Sequence, residues 1–205
     1  MTLYLSRLPL NLQSPEARRD ALDPYQFHRT LQSVFDAPRE EAGVLYRLEI
    51  EGGEPWALVQ SHAVGAWSRL PTGYLQPEHD TANVASRRFE PVFAAEVMLR
   101  FRLRANPTFT RGRRRLAWLG RDAQLAWLQR RLASGGCEVR QARVLPEGLE
   151  RLARPGRPRH VITQYAALFE GLIQVNDPEL LALAIRDGVG AGKAFGCGLL
   201  SVAPI

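Results

Sequence analysis

Between residues 99 and 104 apolar and basic side chains alternate strictly, with Leu99, Phe101 and Leu103 set against Arg100, Arg102 and Arg104. A strand sends successive side chains to opposite faces, so this pattern demands a β-strand with one face in a core and one cationic face. The segments around it repeat an order already present in the first half of the chain. Residues 2–10 read as a strand. Helix starts follow at Ser14-Pro15 and, more strongly, at Asp23-Pro24, because Asp is a good N-cap and Pro suits the first helical position. Phe27, Leu31, Val34 and Phe35 then fall on one helical face. Val44 to Ile50 and Trp56 to His62 read as strands joined by Glu51-Gly52-Gly53-Glu54, a hairpin signal. Residues 64–95 hold a short helix, loops around Pro71, Gly73 and Pro77, and a closing strand.

In the second half, the strand at 99–104 is followed by Thr110-Arg-Gly-Arg-Arg-Arg115, a basic hairpin or loop. A helix over 121–133 carries Leu125, Leu128 and Leu132 and stops at Gly135-Gly136. Residues 137–145 and 160–169 read as strands flanking a loop that contains Pro155-Gly-Arg-Pro-Arg159. Glu170-Gly171 is expected to break the chain before Leu172 to Val175 extends the sheet. Asp177-Pro178 starts a helix through Ile185, ended by Gly188, and the last strand lies near Leu199 to Ala203. The expectation is an α+β protein of two tandem ferredoxin-like (β-α-β-β-α-β) domains, residues 1–94 and 95–205, with the boundary near 92–96. Element order alone carries this reading, since no sequence repeat links the halves.

Charge is divided unevenly along the chain. Residues 98–160 hold 16 Arg and 4 acids, a net +12, whereas the whole chain carries +6, which leaves −6 for the rest. Such a split points to a polyanion held along one region, and nucleic acid is the default. A membrane surface is disfavoured because no basic amphipathic helix has an aromatic face, and no window approaches 18 apolar residues. The start of the chain lacks the basic-then-apolar order of a signal peptide. Cys137 and Cys197 form no C-x-x-C pair, so a reduced, cytoplasmic protein without a zinc site is expected. His62, His79 and His160 are isolated, and no acidic cluster is spaced to hold magnesium. Neither metal nor cofactor is expected.

Gly188-Val-Gly190-Ala-Gly192-Lys193-Ala-Phe-Gly196-Cys-Gly198 puts five glycines in eleven residues around the only lysine among 27 basic side chains. Walker A and Rossmann patterns both fail here: Asp187 stands where the first Walker glycine belongs, Ala194 follows the lysine, and the G-x-G-x-x-G count lands on Lys193 or Phe195. Two readings stand. Closely approaching backbone N–H groups, with Gly192 and Lys193, can grip phosphate. Alternatively, the run is a helix C-cap and a tight turn into the last strand.

The best catalytic candidates sit in Asp23-Pro24-Tyr25-Gln26-Phe27-His28-Arg29. Tyr25 and His28 are three apart on a helix and therefore neighbours, and Arg29 and Gln32 share that polar side. His28 borders the apolar stripe, which can partly desolvate it. Imidazole, phenol and guanidinium together suit attack of an RNA 2′-OH on its neighbouring phosphate, which needs a base, an acid and charge stabilisation but no metal. A structural histidine on a helix surface is the competing reading. Trp118 and Trp127, near the arginines, can stack on bases or pack in the core.

Taken together, several segments resemble the CasE family, the CRISPR-associated repeat-RNA endoribonucleases of type I-E Cascade systems. They are Leu3-Tyr-Leu-Ser6, Asp23-Pro-Tyr-Gln-Phe-His28, Phe101-Arg-Leu-Arg-Ala-Asn-Pro107, Ala126-Trp-Leu-Gln-Arg130, Leu168-Phe-Glu-Gly171 and Gly188-Val-Gly-Ala-Gly-Lys193, continuing to Gly196-Cys-Gly-Leu-Leu-Ser-Val-Ala-Pro204. The resemblance covers almost the whole chain. It implies tandem ferredoxin-like domains and metal-independent cleavage of CRISPR repeat RNA at the base of its stem-loop, giving a 2′,3′-cyclic phosphate and a 5′-hydroxyl. It implies that the enzyme stays on the mature crRNA hairpin within Cascade, beside the other Cascade subunits; by itself the chain is expected to be a monomer. The family's histidine falls on His28 and its tyrosine on Tyr25, and Arg29 follows at a position that varies. Arg111, Arg113, Arg114 and Arg115 sit where the family has its RNA-groove hairpin. Arg100, Arg102 and Arg104 can line a phosphate track or pair with acids of the first domain, and Arg157 and Arg159 add basic charge in their loop. A non-catalytic RNA-binding scaffold subunit of a CRISPR ribonucleoprotein is the alternative.

Overall fold

The computed structural model describes residues 2–78, 84–153 and 161–205, in two compact units. The loop around Pro155–Arg159, with Arg157, Arg159, His79 and His160, lies outside the described residues. The first unit is Met1–Pro91 together with Ala194–Gly196, and the second is Val92–Lys193 together with Cys197–Ile205.

The first unit runs β1 (Leu3–Pro9), α1 (Pro15–Leu22), α2 (Pro24–Ser33), α3 (Arg39–Ala42), β2 (Leu45–Glu51), β3 (Glu54–Ser61), a 3₁₀ turn (Trp67–Arg69) and β4 (Ser86–Phe89). Its sheet order is β2-β3-β1-β4, with every neighbouring pair antiparallel. The short helix expected in 64–95 is that single 3₁₀ turn, which buries Trp67 against Phe35, ring centroids 5.9 Å apart. The core lies between sheet and helices and holds Leu8, Leu10, Phe27, Leu31, Val34, Tyr46, Val59 and Tyr74.

Asp23 divides α1 from α2 and serves both. Its backbone N–H closes α1 on the Arg19 carbonyl, and its carboxylate accepts from the Tyr25 and Gln26 amides at 3.0 and 3.2 Å. Pro24 cannot donate, so the first orphaned position of α2 costs nothing. Fully buried Asp20 on α1 accepts from Thr30 of α2 (2.6 Å) and from Tyr74 (2.8 Å), locking the two helices together.

The second unit runs β5 (Met98–Ala105), β6 (Thr108–Arg111), β7 (Arg114–Ala117), α4 (Arg121–Ser134), β8 (Cys137–Ala153), β9 (Val161–Val175), α5 (Pro178–Asp187) and β10 (Leu200–Pro204). Its main sheet has the order β10-β5-β9-β8, again antiparallel throughout, while β6 and β7 form a separate hairpin turned at Gly112. In β5 the alternation emerges as expected: Leu99, Phe101 and Leu103 are buried. The Asp177-Pro178 signal also starts its helix, with the Asp177 carboxylate accepting from Glu179 and Leu180 at 3.0 Å.

One expectation is corrected. Glu170-Gly171 does not break the chain, because β9 runs unbroken from Val161 to Val175. Gly171 lies opposite Ala142, beside a register shift between Val139 and Gln141, where a Cβ would stand 1.9 Å from the Gln141 carbonyl oxygen. The glycine admits the bulging neighbour strand rather than ending its own.

Candidate active site and nucleic-acid interface

Helix α2 carries the candidate catalytic residues of the first unit. Its buried face presents Phe27, Leu31 and also His28, which is only 5 % exposed. The imidazole therefore lies within the unit's interior rather than on the helix surface. Both ring nitrogens are buried without a protein hydrogen-bond partner, and so is Nε2 of Gln32, one turn further along. Burial, and then the positive charge of Arg39, push the His28 pKa down to about 4. The ring is neutral across the physiological range, with a free lone pair on one nitrogen. Such a group accepts a proton at one nitrogen and keeps an N–H donor at the other.

The surroundings are aromatic. The Tyr46 ring lies 6.4 Å from His28 with its plane 22° away, and meets Phe27 edge-on at 4.9 Å. Fully buried Tyr46 donates its hydroxyl to the Pro24 carbonyl at 2.5 Å and reaches the Ala194 carbonyl at 3.4 Å. Half-buried Tyr25 has its ring 6.2 Å from Phe195. The first turn of α2 is thus fixed by the Asp23 cap from its own chain and by Tyr46 from β2. Arg29 is exposed on the same helix, and Arg39 is exposed at the start of α3. Sequence reasoning missed Arg39 and Tyr46, whose closeness to His28 depends on how α3 and β2 return to α2. Among the described residues no three His, Cys, Asp or Glu side chains gather to hold a metal ion.

In the second unit the expected arginines divide into two groups. Those on β5 are engaged. Arg104 is 11 % exposed at its side chain and binds Glu147 at 2.6 Å. Arg102 sits opposite Glu170 in register and meets it at 3.1 Å, while Arg143 takes the other Glu170 oxygen at 2.5 Å. Arg100 donates to the Pro204 carbonyl at 3.0 Å. Arg111, Arg113, Arg114 and Arg115 ride on the β6–β7 hairpin, all exposed, and no ion pair holds them among the described residues. Four unneutralised guanidiniums on a two-stranded ribbon make a concentrated cationic surface.

The glycine run gathers five left-handed residues, Gly188, Gly190, Gly192, Gly196 and Gly198. At Gly192, φ is +90° and a Cβ would stand 3.0 Å from the Gln164 amide oxygen, so both conformation and space call for glycine. The loop is stitched inward: Val189 N–H donates to Gly198 O, and Gly198 N–H to Arg104 O, each at 2.8 Å. Lys193 folds back so that its ammonium donates to the Asp187 carbonyl at the C-terminus of α5, the end a cation stabilises. Trp127 is core, 3 % exposed and stacked on Phe169 at 5.9 Å, whereas half-buried Trp118 packs on Phe109 at 4.2 Å.

Comparison with known proteins places this geometry in context. Residues 3–204 match the family model described as CRISPR associated protein. The chain is 38 % identical to CRISPR-associated endoribonuclease Cse3 of Thermus thermophilus, covering 98 % of this chain and all of that one. It is 28 % identical to the CRISPR system Cascade subunit CasE of Escherichia coli K12, over 99 % of this chain and all of the relative. Among solved structures, Cse3 bound to a 19-nucleotide RNA superimposes with a TM-score of 0.88 at 37 % identity, each chain fully covered.

Proposed function

We propose, because this chain belongs to the family of CRISPR-associated proteins, that it is an endoribonuclease which cleaves CRISPR repeat RNA at the base of its stem-loop and keeps the mature hairpin within a Cascade assembly. The carrying observation is His28: a buried, neutral imidazole with both nitrogens free of protein partners, on a doubly anchored helix. Support also comes from the 38 % identity to an endoribonuclease over nearly the full length. Residues 1–94 and 95–205 are each read as a ferredoxin-like domain, which the matching sheet orders β2-β3-β1-β4 and β10-β5-β9-β8 support. The protein acts in the cytoplasm, alone a monomer, and needs no metal or cofactor for the cut.

The chemistry is internal transfer at phosphorus. The RNA 2′-oxygen attacks the adjacent phosphorus while its proton passes to a nitrogen of His28, which the buried face of α2 has to open to expose when RNA binds. The bond from phosphorus to the 5′-oxygen breaks, leaving a 2′,3′-cyclic phosphate. The departing 5′-oxygen takes a proton from the Tyr25 hydroxyl, and the imidazolium restores it through solvent. Arg29 neutralises charge growing on the phosphate oxygens. The unpaired arginines Arg111, Arg113, Arg114 and Arg115 grip the stem, with Arg100, Arg102 and Arg104 beside them where exchange with Glu147 and Glu170 allows. Gly192 and Lys193 add a phosphate contact once the ammonium leaves Asp187. Arg157 and Arg159 add two more cations for the RNA backbone.

The deciding experiment incubates pure protein with its repeat RNA in EDTA. Specific cleavage by wild type, lost in His28→Ala while hairpin binding persists, is expected. Intact RNA with wild type would leave a binding scaffold only. Cutting that survives a 2′-deoxy substitution before the scissile phosphate would exclude the internal attack.

A further inference from the structure

The β6–β7 hairpin and α4 line a half-open cavity of about 250 Å³ that the cleavage chemistry does not use. Its walls are Phe109 of β6, Trp118 just after β7, and Trp127, Arg130 and Arg131 of α4. The hairpin base is held shut by the Trp118 N–H donating to the Pro107 carbonyl at 2.9 Å, and Gln124 of α4 donates to the Trp118 carbonyl at 2.8 Å. Trp118 and Trp127 both keep indole N–H groups without a protein acceptor. The Arg131 guanidinium carbon stands 5.9 Å over the Trp127 ring, and Arg130 and Arg131 are both exposed.

Each of these features selects for the same chemistry. Ring faces favour a flat, polarisable group. The hydroxyls of Thr108 and Ser134 can donate or accept, but the guanidiniums of Arg130 and Arg131 only donate, so the ligand must bring acceptors for them. Two cations at the rim favour an anion attached to that flat group. The volume falls below the range usual for drug-sized ligands and suits a single ring system. A nucleobase with its phosphate meets all four conditions. We propose that this cavity holds one unpaired nucleotide of the bound RNA, its base against Trp118 and its phosphate on Arg130 and Arg131. This inference rests on the RNA-binding reading above. It assigns the hairpin two tasks: the exposed arginines at its tip follow the paired stem, and its aromatic base captures the nucleotide where pairing ends. Base–aromatic stacking tolerates any base, so this contact measures the extent of pairing rather than sequence.

The test uses the full chain and the repeat hairpin carrying a single 2-aminopurine in the loop, in the 5′ flank or in the 3′ flank. One position is expected to change fluorescence on binding, and Trp118→Ala and Arg131→Ala each to abolish that change. Both variants should bind a blunt-ended hairpin, stripped of unpaired flanks and closed by a minimal loop, as wild type does. They should also lose about tenfold or more in affinity for the RNA carrying the captured nucleotide. Trp118→Phe keeps an aromatic face and is expected to keep the signal, which separates stacking from misfolding. Unchanged fluorescence at every position, or a change that survives both variants, overturns the proposal and leaves the cavity to a protein side chain. Wild type that fails to bind even the blunt hairpin overturns the RNA-binding reading itself, a distinct result.

Discussion

His28 is the side chain to which the proposed chemistry is assigned, and its burial has two measurable consequences. An exposed imidazole titrates near 6.5, but here the pKa is about 4. Between these values the unfolded chain binds more protons than the folded one, so stability falls as pH drops from about 6.5 towards 4 and is unaffected above that window. The loss reaches about 3 kcal/mol at the low end. Urea unfolding at pH 7.5 and 4.5 should show a smaller pH-dependent change in His28→Ala than in wild type. For catalysis, kcat/KM is expected to stay level from pH 6 to 8 and to decline only as pH approaches 4. A rate that instead falls as pH rises from about 4 would mean that protonated imidazole is the working form. His28→Ala should slow cleavage about 10²- to 10⁴-fold. Asp23→Ala removes the carboxylate that caps α2; it is expected to cost about 1 kcal/mol in thermal unfolding and to lower kcat as the Tyr25 turn frays.

Elements show where local signals suffice and where they fail. Asp23-Pro24 and Asp177-Pro178 both start helices because the capping chemistry is contained within four residues. The alternation at 99–104 became β5 for the same reason. Gly171 was misread because a glycine inside an apolar run resembles a turn, and its actual need, the close approach of Gln141 across the sheet, is a contact between distant residues. The pairing of Arg102 with Glu170 likewise exists only once β5 and β9 are in register. At the candidate site, helical spacing alone makes Tyr25 and His28 neighbours, while Tyr46 and Arg39 come near His28 only through tertiary structure. Gly171→Ala is expected to destabilise the protein by about 3 kcal/mol, because backbone must move to admit the methyl group. On the basic hairpin, Arg114→Ala should weaken RNA binding across unrelated stems and shallow the slope of log affinity against log salt by about 0.7 to 0.9.

Over the whole molecule, the first unit is discontinuous in sequence. Ala194, Phe195 and Gly196 belong to it, although the residues on either side belong to the second. Phe195 neighbours the Tyr25 ring, and the Ala194 carbonyl faces the Tyr46 hydroxyl. A gene cut between Pro91 and Val92 would therefore yield an amino-terminal half without Ala194, Phe195 and Gly196, which belong beside its own helix α2. Co-expressing the halves as separate polypeptides should restore what neither has alone, and the tolerance of this enzyme to splitting, permutation or fusion will be decided near its carboxyl end rather than at its midpoint.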